Sequence, residues 1–137
     1  MPKITGQCLC GDVKFSADGE IDFQGNCHCT DCRQVTGAAF ATLVFMNKAD
    51  IKITGETKSY DHTVDSGNTL TKHFCPNCGS AMFGGSAGRP DNIAIRGGQI
   101  NEQDVVVPQF NVYAGSKMDC VTLDASIPAF DKMPPTA

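Results

Sequence analysis

The residues of this chain best suited to chemistry are its eight cysteines, seven of which occur in three short clusters. The clusters read Cys8-Leu-Cys10, Cys27-His-Cys29-Thr-Asp-Cys32 and Cys75-Pro-Asn-Cys78, whereas Cys120 stands alone. Thiolate sulfur is a soft ligand that suits zinc, and a turn with two cysteines one or two residues apart can direct both sulfurs to one tetrahedral ion. The clusters therefore predict zinc sites.

The ligand count predicts two zinc ions of different kinds. Seven clustered sulfurs are one fewer than two closed four-ligand sites need, so one ion should keep an open position where chemistry or ligand binding can occur. The glycine after Cys78 is typical of the turn in zinc ribbons, because glycine permits a positive φ. The pair Cys8 and Cys10 is also followed directly by a glycine. We therefore predict a closed structural site formed by Cys8, Cys10, Cys75 and Cys78.

This assignment leaves Cys27, Cys29 and Cys32 for the second, open zinc. Thr30 is a candidate N-cap for a short helix from Asp31 to about Val35, with Cys32 in its first turn. The N-terminus of a helix lowers the pKa of a nearby thiol, which favours metal binding or a reactive thiolate.

A disulfide framework is the competing interpretation of an even number of cysteines in a small chain. The sequence has no signal-like apolar run near Met1 and no stretch approaching 18 apolar residues, so we expect a cytoplasmic protein that does not contact a membrane. In that reducing compartment, clustered cysteines hold metal more often than they pair with each other.

The rest of the chain predicts a mainly β fold with little helix, organised as a single domain over residues 1–137, with a core at about 5–125 and a C-terminal strap at 126–137. Helix is expected after Thr30 and at Asn101–Asp104. The clearest strand candidates are Asp12–Ser16, Ala39–Phe45, Ile51–Thr54, Thr69–Phe74, Asn92–Arg96 and Gln109–Tyr113.

Charge narrows the class of partner. The formal net charge is −4, with only 11 scattered basic residues. Seven deprotonated thiols and two Zn²⁺ ions would lower the charge by three, to about −7. That charge opposes a nucleic-acid partner and favours a small-molecule substrate. The oligomeric state is left open.

Four further features have both structural and functional interpretations. His28 is expected to be a turn residue rather than a ligand, although it could act near the open zinc. Arg33 could bind a substrate carboxylate or offset the charge of three thiolates. Cys120 is expected to be a small core residue, and the segment Gly84–Gly88 a flexible connection near the site rather than a phosphate loop.

Three segments of the sequence resemble the glutathione-dependent formaldehyde-activating (GFA) enzymes, a family that includes centromere protein V. The segments are Gly6-Gln-Cys8-Leu-Cys10-Gly11, Cys27-His-Cys29-Thr-Asp-Cys32-Arg33 and Phe74-Cys75-Pro-Asn-Cys78-Gly79-Ser80. The resemblance, which runs from about residue 5 to about residue 134, implies a zinc-stabilised β-tent of packed antiparallel sheets and the same four-cysteine structural site. It also implies a second zinc on Cys27, Cys29 and Cys32, where glutathione as co-substrate meets formaldehyde in a carbon–sulfur lyase.

Three thiolate ligands would make the second zinc a weak Lewis acid, so we favour capture of a substrate thiol over attack by zinc hydroxide. Many relatives have a histidine at the position of Asn111 and a tryptophan at that of Cys120, which leaves the substrate open among thiol adducts and other carbonyl or imine compounds. The alternative is a non-catalytic zinc module, since a related β-tent protein is an accessory factor for small GTPases. The complete triad favours an enzyme.

Overall fold

The computed structural model describes residues 3–134, which form ten strands and one short α-helix. The strands are β1 Lys3–Gln7, β2 Lys14–Asp18, β3 Ile21–Cys27, β4 Ala41–Asn47, β5 Ile51–Thr54, β6 Lys58–Thr63, β7 Thr69–Phe74, β8 Ala81–Ser86, β9 Arg89–Arg96 and β10 Asn111–Val112; the helix is α1 Thr30–Thr36. Single 3-10 turns occur at Lys48–Asp50, Gly97–Gln99, Gln103–Val105 and Ala114–Ser116.

The strands form two sheets. The small sheet has the order β1-β2-β5, and the large sheet has the order β10-β3-β4-β9-β8-β7-β6. All pairings are antiparallel except that of β10 with β3. The prediction of a mainly β fold of packed sheets with little helix is confirmed.

The main core lies where one face of the large sheet packs against the small sheet. Phe15 of β2 meets Phe83 of β8 edge to face, with ring centroids 5.5 Å apart. The buried members of this core are Ile4, Cys8, Val13, Phe15, Ala17, Val44, Met46, Cys75, Met82, Phe83, Ile93, Ile95 and Ile100. These side chains alternate with exposed ones along β2, as expected of a strand with one buried face. The second face of the large sheet carries a separate buried cluster of Cys27, Cys32, Ala41 and Val112.

Two of the six strand predictions have exact bounds. β5 and β7 have the predicted bounds, whereas β2, β4, β9 and β10 differ from theirs by a few residues. Asn101–Asp104 is not an α-helix; the nearby helical turn is Gln103–Val105. Gly84–Ser86 belong to β8, so the prediction of a flexible connection there was wrong, because main-chain pairing with β7 and β9 orders these residues.

The C-terminal segment is held beside β10 by main-chain hydrogen bonds. The Asn111 amide donates to the Pro128 carbonyl and the Phe130 amide to the Asn111 carbonyl, each at 2.9 Å. The Tyr113 amide donates to the Lys132 carbonyl at 3.0 Å. The last three residues of the predicted strap lie outside the described range.

None of the helices in the described part of the chain is both long and apolar enough to cross a bilayer.

Candidate functional site

Four cysteine sulfurs meet between the two sheets. Cys8 and Cys10 lie in the turn after β1, and Cys75 and Cys78 lie in the turn after β7. All four sulfurs are within 4.8 Å of one another. The Cys10 Sγ lies 3.6 Å from that of Cys8 and 3.7 Å from that of Cys75. A tetrahedral ion with Zn–S bonds of about 2.3 Å requires sulfurs about 3.8 Å apart, so the donor set fits zinc.

The backbone of both turns is shaped for this cluster. Gly11 and Gly79 have φ values of 84° and 78°, in the left-handed region that favours glycine. The Val13 amide donates to Cys8 Sγ at 3.3 Å, and the Cys78 amide to Cys75 Sγ at 3.5 Å. Donation to sulfur stabilises the thiolate form that binds metal.

Three further sulfurs, those of Cys27, Cys29 and Cys32, also lie within 4.8 Å of one another. We call these residues the triad. Cys27 ends β3, Cys29 directly precedes α1, and Cys32 lies in the first turn of α1. The predicted N-cap was wrong by one residue: Cys29, with extended backbone, is the N-cap, because its Sγ accepts from the Cys32 amide at 3.2 Å. The helix ends at Gly37, with φ of 68°.

Contacts within the triad lower the pKa of Cys29 and raise those of Cys27 and Cys32, which concentrates negative charge on Cys29. Thiol hydrogen bonds from Cys27 and then Cys32 lower the pKa of Cys29 to about 2, and the same contacts raise the pKa of Cys27. The positive charge of Lys72 lowers the pKa of Cys29 further. Among residues 3–134 no other His, Cys, Asp or Glu joins the triad. The set therefore fits a zinc ion held by three thiolates with one position left for another ligand.

His28, between two triad cysteines, is buried, with only 1% of it exposed, and it does not belong to either sulfur cluster. Its Nε2 lies 2.9 Å from Oδ1 of Asn111, and its ring centroid is 4.9 Å from that of Phe40. An amide oxygen only accepts, so this contact requires the proton on Nε2. The His28–Asn111 hydrogen bond thus ties the triad loop to β10. The sequence contained no local signal for this pair.

Tyr113 packs against the triad cluster. Its backbone lies in the left-handed region, with φ of 54° and ψ of 36°, which is uncommon for a residue other than glycine. Burial, followed by the negative charges of Asp65 and Cys27, raises the pKa of its phenol. The hydroxyl is therefore neutral at physiological pH and able to donate a hydrogen bond. Sequence reasoning did not single out this side chain.

Arg33 lies in the last turn of α1. Its Nη2 donates to Thr30 Oγ1 at 3.3 Å, and its Nε is buried without a partner among the described residues. Either interpretation made from the sequence, a substrate carboxylate or the charge of three thiolates, is compatible with this position.

The β6–β7 hairpin approaches the triad from the other end of the large sheet. His62 Nδ1 of β6 lies 3.9 Å from Asp31 Oδ2 of α1. Lys72 of β7 is near enough for its charge to act on Cys29 and Cys32. The sheet therefore curls so that its second face forms a concave wall around the triad. These contacts join residues about 30 to 40 positions apart and leave no local trace in the sequence.

Cys120 is exposed, so the prediction of a core position was wrong. The residue lies in a turn outside both sheets, near the hydrogen bond from the Val121 amide to the Met118 carbonyl. It is not among the clustered cysteines.

A sequence model of the family described as glutathione-dependent formaldehyde-activating enzyme matches residues 3–116. Two curated relatives carry that description as a provisional name. The protein of Fusarium vanettenii is 23% identical over 82 residues, which cover 60% of this chain and 44% of the relative. The protein of Halomonas elongata is 28% identical over 88 residues, which cover 58% and 54%. The chain therefore spans about half the length of the curated relatives it matches.

A crystal structure of a Rhodobacter sphaeroides protein has a similar fold. Its TM-score is 0.57 at 19% identity, and the match covers 76% of this chain and 96% of that one. At this identity the likeness concerns the fold alone.

Proposed function

Because the chain belongs to the family of glutathione-dependent formaldehyde-activating enzymes, we propose that it is a zinc-dependent carbon–sulfur lyase. Its substrate would be a thiol–aldehyde adduct such as S-hydroxymethylglutathione or a related carbonyl or imine compound. We expect this activity in the cytoplasm, since clustered metal-binding cysteines are typical of reducing compartments.

The observation that carries the proposal is the difference between the two sulfur clusters. The cluster between the sheets has four sulfurs and can close around one ion, whereas the triad has three. Cys8, Cys10, Cys75 and Cys78 would hold a structural zinc, and Cys27, Cys29 and Cys32 a second one. When bound to the triad, zinc would supply a Lewis acid with an open coordination position.

The surrounding residues have separate roles in this proposal. His28 and Asn111 hold the triad loop against β10, which fixes the directions of the Cys27 and Cys29 sulfurs. Lys72 supplies positive charge that favours the thiolate form of an incoming thiol. The Tyr113 hydroxyl would donate a hydrogen bond to the substrate oxygen, and Arg33 would bind a substrate carboxylate or offset the thiolate charge.

The proposed reaction balances without an external oxidant or reductant. In the direction of adduct formation, the thiol sulfur bonds to the aldehyde carbon and the carbonyl electron pair moves to oxygen. The thiol proton ends on that oxygen, which gives an S-hydroxymethyl group. Cleavage reverses each step and breaks the carbon–sulfur bond.

The test is the exchange rate between glutathione with formaldehyde and their adduct, measured by NMR exchange spectroscopy and compared with a protein-free mixture. Such adducts also form without a catalyst, so only the protein-dependent rate counts. We expect Cys29→Ala to reduce that rate at least about tenfold and to lower the zinc content from about two ions to about one.

Cys120→Ser is the matched control, because Cys120 is exposed and outside both clusters. It should keep both zinc ions and the full rate. If folded Cys29→Ala retains the rate of the unaltered protein, the lyase proposal is wrong, and a non-catalytic zinc module becomes the better explanation.

A further inference from the structure

Arg96, at the end of β9, is a buried cation whose guanidinium lacks partners. Only 6% of the residue is exposed. Its Nε and Nη1 are buried and have no hydrogen-bond partner among residues 3–134. A guanidinium removed from water is normally paired with a carboxylate or phosphate, since an uncompensated buried charge is costly. The two unpartnered nitrogens therefore point to a ligand.

A cavity of about 280 Å³ adjoins Arg96 and opens to solvent. Its lining contains no acidic side chain, so the wall itself offers no compensating charge. The other lining residues are Thr36, Ala38, Phe40, Ala41, Thr42, Ala81 and Gly98.

The cavity is next to the triad. Ala41 lines it and also belongs to the buried cluster of Cys27 and Cys32. Phe40 forms another part of its wall, and the Phe40 ring contacts that of His28. One layer of side chains thus separates the cavity from the triad loop.

Strand register places Arg96 on the same face of the large sheet as Cys27. Arg96 lies opposite Leu43 of β4, two residues from Ala41, which lies opposite Cys27. Side chains two residues apart on a strand, and those opposite each other on paired strands, share a face. Cys27 and Arg96 therefore project from the same face of the large sheet.

The floor between Lys72 and Arg96 is made of small residues. Lys72 lies opposite Gly84, and Gly84 lies opposite Ala94, two residues before Arg96. The face therefore carries two cations with only small residues between them, an arrangement suited to an elongated anion.

We propose that Arg96 binds a carboxylate of the substrate, so that the enzyme selects carboxylate-bearing thiols over neutral ones. This inference rests on the proposed function, in which the substrate thiol binds at the triad. Arg33 is the weaker candidate for this role, because it is less buried and already donates to Thr30.

The test is calorimetric binding to the zinc-loaded protein, with glutathione and its diethyl ester as probes. The ester keeps the thiol but loses both carboxylate charges. Arg96→Met should weaken glutathione binding at least tenfold and change ester binding less than twofold, since a bidentate pair with carboxylate is lost. Arg89→Met, at an exposed arginine of the same strand, should change neither.

Thermal unfolding separates binding from a structural role. If the Arg96 guanidinium has no partner in the ligand-free protein, Arg96→Met removes a buried unpaired charge. The variant should then retain both zinc ions, and its Tm should be unchanged or higher. A fall of the Tm with loss of zinc would show that the fold itself requires the guanidinium and would overturn the proposal. Equal weakening of both probes would overturn it as well.

S-Methylglutathione distinguishes failure of this inference from failure of the proposed function. Its sulfur has no proton to lose, yet both carboxylates remain. Weaker binding of this probe to Arg96→Met than to the unaltered protein would support the carboxylate site even if no lyase turnover were found. Turnover with unchanged affinity for all three probes would support the lyase and refute the Arg96 site.

Discussion

The hydrogen bond between His28 and Asn111 shows how a single pair can position the triad. His28 is held between two prospective ligands, and its buried ring is fixed by Asn111 at one nitrogen and by Phe40 at its face. A buried donor without an acceptor costs more than the hydrogen bond contributes when it is made. The geometry of the triad loop therefore depends on a residue more than 80 positions away.

Asn111→Leu should consequently destabilise the protein. The substitution leaves the His28 Nε2 proton without an acceptor, at a cost of about 1–3 kcal/mol, measurable by urea unfolding of the zinc-loaded protein. Asn101→Leu is the control, since that amide makes only an exposed hydrogen bond to Thr5, and it should cost less than about 0.5 kcal/mol. If both variants lose the same free energy of unfolding, the buried His28–Asn111 hydrogen bond does not contribute more than an exposed one.

Among the elements, β8 determines how much room lies beside the triad. Gly84 and Ala94 are opposite each other on the triad face, and a Cβ at Gly84 would meet Ala94 Cβ at 3.8 Å, an ordinary contact. A larger side chain can therefore be added without disrupting the sheet. Packing of the strand therefore does not require glycine at position 84, and the absence of a side chain there leaves this part of the face uncovered.

Gly84→Val should fold and yet bind poorly. Valine favours the strand conformation more than glycine by about 0.5–1 kcal/mol, so stability should be maintained or increased. Its side chain would occupy the space between Lys72 and Arg96 and weaken glutathione binding, which calorimetry measures. Gly85→Val places the same side chain on the opposite face, where a Cβ meets nothing within 4 Å. If the two variants bind glutathione equally well, the ligand does not lie on the triad face.

The elements also show why sequence reasoning succeeded or failed. β5 and β7 were predicted with their correct bounds, because turn residues adjoin them: Gly55 follows β5, and Gly67-Asn68 precede β7. β3 was missed because Gly25 and Asn26 interrupt its apolar pattern. The reason for Gly25 is tertiary: a Cβ there would lie 2.3 Å from a Phe110 ring carbon. Phe110 belongs to a distant segment, so the local sequence around Gly25 does not show the pattern expected of a strand.

At the scale of the whole molecule, the grouping of the cysteines was predictable and the rest of the site was not. Ligand number and turn chemistry are local properties, and they led to the four-sulfur cluster and the triad that the structure brings together. Strand register and sheet curvature bring Lys72 and Tyr113 near the triad and place Arg96 on the same face of the sheet. These are set by nonlocal pairing, which one sequence does not reveal.

The two clusters differ in what they connect. The four-sulfur cluster joins the turn after β1 of the small sheet to the turn after β7 of the large sheet, and so closes a loop of about 70 residues. The triad connects only the end of β3 to the first turn of α1, residues already adjacent in the chain. Loss of the first ion should therefore affect the whole fold, and loss of the second only a local segment.

Cys10→Ser and Cys29→Ser provide a matched comparison, because each removes one sulfur from one cluster. Structural zinc contributes on the order of 10 kcal/mol to folding, more than the total stability of many domains. We therefore expect Cys10→Ser to lose cooperative thermal unfolding, and Cys29→Ser to unfold in one transition with a Tm within a few degrees of the unaltered protein. Calorimetry with elemental analysis would measure both. If Cys29→Ser fails to fold, or if Cys10→Ser stays stable, the assignment of structural and functional ions is reversed. In either case the four-sulfur cluster that joins the two sheets would not be the cluster on which folding depends.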